Sequence, residues 1–104
     1  MVKVTAAAAA QIKESARQSK SEGMALRVAA KVDKDGVFHY AMGFDNANDH
    51  EDIAIDREGV QIIFAIPQQD LLKNMTIDYV ELEEGESNFI FLNPNDPAFV
   101  PPQE

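Results

Sequence analysis

Few side chains in this sequence could bind a metal or carry out catalysis. Cysteine is absent from the 104 residues, which excludes thiolate metal sites, disulfides and cysteine nucleophiles. The histidines are His39 and His50, and a zinc or iron site normally needs two or three imidazole or carboxylate ligands on a rigid frame. The sequence therefore predicts no cofactor and no metal site, with Asp35 and His39 as the alternative pair of iron ligands.

Two stretches rich in carboxylates have the composition of cation sites. Asp33-Lys34-Asp35-Gly36 begins with the spacing of a calcium loop, but the twelfth position of such a loop requires glutamate and here is Phe44. The run from Asp45 to Asp52 offers oxygen and imidazole groups without a glycine turn. We expect the first stretch to be a plain turn and the second to be a solvated loop without a fixed frame.

No catalytic set can be assembled from the other polar residues. The serines at positions 15, 19, 21 and 87 lie outside any nucleophile elbow, and the glycines form no phosphate-binding motif. No set of acid, base and nucleophile can be named among them. The prediction is that this protein is not an enzyme.

A β-hairpin must position the stretch Asp33–Gly36. Apolar residues alternate with others over residues 26–32 and again over 38–44, with the period of two that half-buried strands show. Asp33 can hold the turn with its side chain, and Gly36 can take the positive φ that closes the loop. We expect an antiparallel hairpin with its tip in solvent.

The remaining patterns complete a β-rich α+β fold with about seven short strands in mixed sheets, one N-terminal helix and one short second helix. Thr5 is a good N-cap for the first helix, Gly23 is its expected stop, and Pro67 suits the start of the second. Residues 1–95 are predicted to form one domain and residues 96–104 an irregular, flexible tail. The predicted elements cover residues 2–4, 6–20, 25–32, 37–44, 52–57, 60–66, 67–73, 76–83 and 87–93.

Charge and hydropathy limit the partners and the location. The net charge is −9, and residues 33–104 carry most of the acidic excess. Neutralisation of phosphates supplies most of the affinity for nucleic acids, so DNA is not expected as a partner, whereas a small basic face on the first helix leaves RNA open beside a protein partner. The N-terminus lacks the apolar core of a signal peptide, and no apolar run approaches the ~20 residues of a membrane span. These features predict a cytoplasmic protein without membrane contact.

The order of short motifs along the chain resembles that of a known family. The first helix is followed by Leu26-Arg27-Val28, a hairpin with Tyr40 and Phe44-Asp45, Gly59-Val60, Ile77-Asp78-Tyr79-Val80 and Phe89-x-Phe91-x-Asn93-Pro94-Asn95. This order is similar to that of the A-type iron-sulfur carriers (IscA, SufA, HesB) over essentially the whole chain. The resemblance implies the HesB/IscA-like fold. It also implies a small cytoplasmic protein of a family whose members bind iron or an iron-sulfur cluster through three cysteines and pass it to apo-proteins.

All three cysteine positions of that family differ here. Counted back from Tyr40, the hairpin cysteine falls on Asp35, and counted forward from the Asn93-Pro94-Asn95 motif the C-terminal pair falls on Val100 and Pro102. Cluster iron needs thiolate or occasionally imidazole ligands, so we expect the fold to carry over but not the carriage of a cluster. The resemblance extends to a cysteine-less branch that is encoded with the dissimilatory sulfite reductase (dsr) genes of sulfur-oxidising bacteria.

The resemblance implies a non-enzymatic accessory or regulatory protein, linked to sulfur oxidation through the dsr system and acting through protein or RNA contact. The alternative is a cysteine-independent iron-binding or iron-donor protein for iron-sulfur cluster assembly. A monomer and a weak dimer both remain open. The predicted contact residues are Asp33, Lys34, Asp35 and Gly36 at the hairpin tip and Phe99 and Val100 in the tail.

Overall fold

The computed structural model describes residues 2–48 and 50–99, which form two mixed sheets and two helices. One sheet has the strand order β1-β6-β7 and the other β3-β2-β5-β4, and this arrangement confirms the predicted β-rich α+β class. The elements are β1 (Lys3–Val4), α1 (Ala6–Gln18), β2 (Ala25–Val32), β3 (Phe38–Asp45), β4 (Asp52–Arg57), β5 (Val60–Ala65), a 3-10 turn (Ile66–Gln68), α2 (Gln69–Leu72), β6 (Thr76–Glu83) and β7 (Glu86–Leu92).

Strand β5 occupies the interior of the four-stranded sheet, as its apolar residues on both faces predict. It runs parallel to β2 and antiparallel to β4, while β2 pairs with β3 as the expected antiparallel hairpin. Ile62 and Phe64 belong to the main core. Ile63 is fully buried on the opposite face, where its neighbours in the register are Arg27 on β2 and Ala54 on β4. Because β5 is buried on both faces, it gives the adjacent hairpin β2–β3 a rigid support.

Helix α1 covers the core with a narrow face of small side chains. Ala8, Ala9 and Ile12 are its buried residues, and they allow a close approach to β6 and β5. Thr5 is the N-cap: its hydroxyl accepts a hydrogen bond from the backbone N–H of Ala8 at 3.1 Å. Its hydroxyl also donates to Asp78 on β6 at 2.6 Å, so the cap ties the helix to the sheet. Neither α1 nor α2 is long and apolar enough to cross a membrane.

The predicted stop of α1 at Gly23 is wrong. The helix ends at Gln18, and Lys20 takes the left-handed conformation, with φ of 57°, that usually favours glycine. The backbone N–H of Ser21 donates to the carbonyl of Ala16 at 2.7 Å, which closes a Schellman motif and offsets the strain at Lys20. Gly23, with φ of 88°, instead serves the turn that leads into β2.

Candidate functional site

The tip of the β2–β3 hairpin is closed by Asp33, as the sequence predicts. Its Oδ1 accepts hydrogen bonds from the backbone N–H groups of Asp35 at 2.9 Å and Val37 at 3.0 Å. The N–H of Gly36, whose φ is 82°, donates to the Asp33 carbonyl at 3.0 Å. Lys34 and Asp35 project from this turn as exposed side chains. The turn is therefore a small fixed platform that displays one cation and one carboxylate.

The imidazole of His39 is directed at the residue that closes the turn. Its Nε2 lies 3.0 Å from Oδ2 of Asp33, and this contact, followed by the bonds from backbone N–H groups, lowers the pKa of Asp33. Asp35 is the other proposed iron ligand, so His39 is bonded to a neighbour of that ligand. Within residues 2–48 and 50–99 no three His, Cys, Asp or Glu side chains form a group that could hold a metal ion. The pair Asp35 and His39 stays a hypothesis.

The C-terminal segment meets the hairpin at Tyr40. The Tyr40 hydroxyl donates to Oδ2 of Asp96 at 2.8 Å, and its ring stacks on Phe91 with centroids 4.8 Å apart and planes 13° apart. Burial, together with the bond to Asp96, raises the pKa of Tyr40 to about 12. Tyr40 is therefore a neutral donor at physiological pH. The contact fixes the start of the predicted tail against the first half of β3.

The Asn93-Pro94-Asn95 motif fastens the end of β7 to the short helix α2. The Asn93 side chain is buried, and its Nδ2 donates to the carbonyl of Leu71 at 2.8 Å. Its Oδ1 accepts from the backbone N–H of Asn95 at 3.0 Å and from Nδ2 of Asn95 at 2.8 Å. Nδ2 of Asn95 also donates to the Lys73 carbonyl at 2.8 Å. The motif is a structural lock made of amide groups.

Residues 96–99 turn back on Asp96. The backbone N–H of Ala98 donates to Oδ1 of Asp96 and that of Phe99 to the Asp96 carbonyl, both at 2.9 Å. Phe99 is half-buried. Val100, the other predicted contact residue of the tail, lies outside the described residues, as does Pro102. The domain boundary after residue 95 stays a prediction.

Arg27 joins the two ends of the acidic loop, a role that the sequence analysis missed. Its Nε donates to Oδ2 of Asp45 at 2.7 Å, and its two terminal nitrogens donate to both oxygens of Asp52 at 2.7 and 2.6 Å. The backbone N–H of Asn48 donates to Asp52 at 2.8 Å. The expectation of a loop without a fixed frame is therefore wrong at its ends. The sequence did carry a signal for this contact. Arg27 falls on the face of β2 opposite the core, and the two aspartates lie at the end of β3 and at the start of β4.

Replacing Arg27 with glutamine is expected to reduce the loss of stability that the protein undergoes as the pH falls from 4 to 2. The bond to Arg27, first, and the one from Asn48 lower the pKa of Asp52 to about 2. An aspartate has a pKa near 3.9 when unfolded, so this interaction is fully present above about pH 4 and is lost as the pH falls through about 2. Urea denaturation of the wild type and R27Q at pH 7, 4, 3 and 2 measures the difference.

The matched control is R17Q, because Arg17 pairs with Glu14 on the exposed face of α1. We expect R27Q to be less stable than the wild type at pH 7 and to lose less stability between pH 4 and pH 2, while R17Q, which removes an ion pair that solvent screens, departs much less from the wild type. If R27Q and the wild type lost the same stability between pH 4 and pH 2, the result would contradict the pairing of Asp52 with Arg27.

Comparison with known proteins finds one family and one fold. The family model described as "Iron-sulphur cluster biosynthesis" matches residues 1–96. The chain is 31% identical over 88 residues to the iron-sulfur cluster insertion protein ErpA of Marinobacter nauticus, covering 85% of this chain and 79% of the relative.

Among solved structures, IscA with the 2Fe-2S cluster is similar with a TM-score of 0.76 and 26% identity, over 91% of this chain and 86% of that one. Escherichia coli SufA is similar in fold with a TM-score of 0.72 and 24% identity, over 89% of this chain and 80% of that one. Both similarities show that this chain shares the fold of these proteins.

Proposed function

We propose that this chain, which belongs to the iron-sulphur cluster biosynthesis family and has the A-type carrier fold, is a non-enzymatic accessory protein that acts by contacting another protein. The observation that carries the proposal is the absence of cysteine from all 104 residues. The related ErpA and IscA are named for the insertion of a cluster and for a bound cluster. This chain keeps their fold without the thiolates that a cluster requires.

The donor groups at the hairpin do not fit a cluster. Position 35, which corresponds to a family cysteine, is an exposed aspartate, and the nearby His39 is already bonded to Asp33. Carboxylates are hard oxygen ligands, whereas cluster iron is held by soft sulfur ligands. We therefore do not propose that this chain carries a cluster, and the proposed function does not require one.

The proposed contact surface is the hairpin tip together with the segment that follows Asp96. Lys34 and Asp35 stand in solvent on a turn that Asp33 and Gly36 hold rigid, so a partner can bind them at a low cost in conformational entropy. Phe99 and Val100 are the proposed apolar part of the surface. Tyr40 supports the idea of one continuous surface, because it ties Asp96 to the same hairpin.

A protein partner is favoured over RNA by the net charge of −9. We place the activity in the cytoplasm and in sulfur oxidation, through the cysteine-less branch of the family of which DsrR, encoded with the dsr genes, is an example. The resemblance to that branch supports a regulatory role. The alternative is a cysteine-independent iron binder or iron donor for cluster assembly, which would use Asp35 and His39.

The test is one complementation experiment with two readouts. A sulfur-oxidising strain that lacks the gene is complemented with the wild-type chain, and the protein is purified from the same cells without oxygen. We expect restored growth on reduced sulfur together with far less than one iron per chain, and no visible absorption band after reconstitution with ferrous iron and sulfide. A variant with cysteine at positions 35, 100 and 102 is the control that should gain such a band.

The contact surface is tested in the same strain by K34S/D35S. Its matched control is D70S/K73S, which removes the same two residue types from exposed positions at α2. The tip variant should fold and fail to complement, while the control complements. Stoichiometric iron in the wild type would replace the proposal with the iron-binding alternative, and nuclease-sensitive RNA in the purified complex would replace the protein partner with RNA.

A further inference from the structure

Arg57 carries a positive charge that no carboxylate of the described residues neutralises. The other two arginines of the chain, Arg17 and Arg27, both form ion pairs with carboxylates. Carboxylates are plentiful, because the chain contains 18 Asp and Glu residues against 9 Lys and Arg residues. The Arg57 side chain is half-buried, and a partly desolvated charge without a counter-ion favours the binding of an anion.

Two hydrogen bonds to the backbone hold this guanidinium in place. Its Nε donates to the carbonyl of Val2 at 2.9 Å, and its Nη1 donates to the carbonyl of Asp56 at 2.8 Å. The remaining N–H groups on Nη1 and Nη2 have no acceptor among the described residues. This end of the planar fork matches two oxygens of a carboxylate or a phosphate group. Because the side chain is already ordered, an anion can bind it at a low cost in conformational entropy.

Lys13 brings a second cation to the turn that follows Arg57. Glu58 and Gly59 form this turn between β4 and β5, and a Cβ built at Gly59 would lie 3.0 Å from Nζ of Lys13. Glycine at this position leaves room for the ammonium group. Lys13 is exposed on α1 and forms no ion pair with any described residue. Two cations without a counter-ion therefore lie beside one short turn.

Arg57 and Lys13 approach this turn from the same side of the sheet. Side chains of a strand alternate between its two faces, so Arg57 shares the face of Ile55, a residue of the main core. Helix α1 packs on that face, because Ile12, the neighbour of Lys13, belongs to the same core. Both positive charges therefore lie on the α1 side of the turn.

We propose that the α1 side of this turn is a binding site for a phosphate monoester. Two phosphate oxygens bind the fork of Arg57, and a third binds the ammonium group of Lys13. A phosphate monoester carries a charge of about −1.5 to −2 at pH 7, which matches two cations better than the single charge of a carboxylate does. The neighbouring acidic side chains leave the site open. Asp56 lies on the opposite face of β4, and Glu58 is exposed and forms no ion pair with either cation.

This site goes beyond the proposed function, because it lies apart from the proposed contact surface. Strand β5 runs parallel to β2, with Leu26 opposite Ile62, so β5 starts at the end of the sheet where β2 starts. The hairpin tip follows the last residue of β2 and therefore lies at the other end of the sheet. Variants of the phosphate site leave the tip unchanged, and the two proposals can fail independently.

An NMR titration of the intact, isotope-labelled chain measures the binding. The probe is inorganic phosphate at pH 7.5, added in exchange for chloride at constant ionic strength. We expect the amide signals of Gly59 and its neighbours to shift and to saturate with a dissociation constant of about 1 mM or lower. K13Q should weaken this binding about tenfold, because it removes one of the two charge-assisted contacts.

The matched control is K20Q, because Lys20 is an exposed lysine that follows the same helix. This variant removes the same charge from the chain and should bind phosphate with nearly the affinity of the wild type. An equal loss of affinity in K13Q and K20Q would show diffuse attraction and overturn the proposal. Shifts that do not saturate in the wild type would overturn it as well.

Variants at position 57 test the other half of the site. R57Q should weaken phosphate binding by about tenfold or more, and R57K should weaken it less, because lysine keeps the charge and loses only the fork. Arg57 also bonds to Val2, so thermal unfolding checks that each variant is folded. K13Q remains decisive if R57Q does not fold, because Lys13 makes no hydrogen bond or ion pair with the described residues.

Three further probes identify the source of the phosphate group. They are glycerol phosphate, a short peptide with one phosphoserine beside its unmodified form, and a single-stranded RNA. Tighter binding of glycerol phosphate than of the free anion would support a small metabolite, and tighter binding of the phosphopeptide alone would support a modified protein. Equal affinities would show that the site recognises only the phosphate group. RNA that binds more tightly than the other probes, and equally well to K13Q, would overturn the proposal.

Discussion

Replacing Asn93 with alanine is expected to lower the free energy of unfolding by about 3 kcal/mol. The Asn93 side chain is buried and bonds to the Leu71 carbonyl and to two N–H groups of Asn95. Each buried polar group that loses its partner costs about 1–3 kcal/mol, and alanine also leaves a small cavity. Urea denaturation monitored by circular dichroism measures the change.

The matched control is N88A, because Asn88 is an exposed asparagine on β7, the strand that Asn93 follows. It should change stability by less than about 0.5 kcal/mol, the range of ordinary surface substitutions. A loss below about 1 kcal/mol for N93A would contradict the lock between β7 and α2. This role gives the Asn-Pro-Asn motif a purpose in a chain without cysteine, because the motif holds the fold together and needs no metal.

Replacing Phe91 with alanine is expected to cost about 2–3 kcal/mol. Deleting a buried phenylalanine ring usually costs about 3–5 kcal/mol, and Phe91 is half-buried, so a cost at or below the lower end of that range is expected. Its ring packs against the core and stacks on Tyr40, so the loss also loosens the contact between the sheet β1-β6-β7 and the hairpin. Chemical denaturation gives the value.

A double-mutant cycle with Y40L isolates the stack between the two rings. The coupling energy between F91A and Y40L should be about 0.5–1.5 kcal/mol, the usual value for an aromatic pair. The single variant Y40F keeps the ring and removes the hydroxyl with its bond to Asp96, so it separates the ring stack from that hydrogen bond. Additive effects of F91A and Y40L would show that the two rings do not stabilise each other.

The elements of this fold were predicted from the sequence wherever local signals decide the conformation. The alternation over residues 26–32 and 38–44 specified the hairpin, and Asp33 with Gly36 specified its turn, because a side-chain cap and a positive φ act within four residues. The fold class followed from such local patterns along the whole chain. The interior position of β5 followed from its apolar residues on both faces. The stop of α1 was missed, because hydrogen bonds after the helix let Lys20 take a conformation that its residue type disfavours.

The contacts that define the candidate site were decided only by the tertiary structure. Arg27 lies 18 residues from Asp45 and 25 from Asp52, and Tyr40 lies 56 residues from Asp96. Nothing in the local sequence sets which distant carboxylate an arginine or a tyrosine will meet, because that choice depends on the register of three strands and on the packing of two sheets. The sequence by itself determined that no thiolate can be present, because composition does not depend on folding. Only the tertiary structure decided which elements the remaining side chains join.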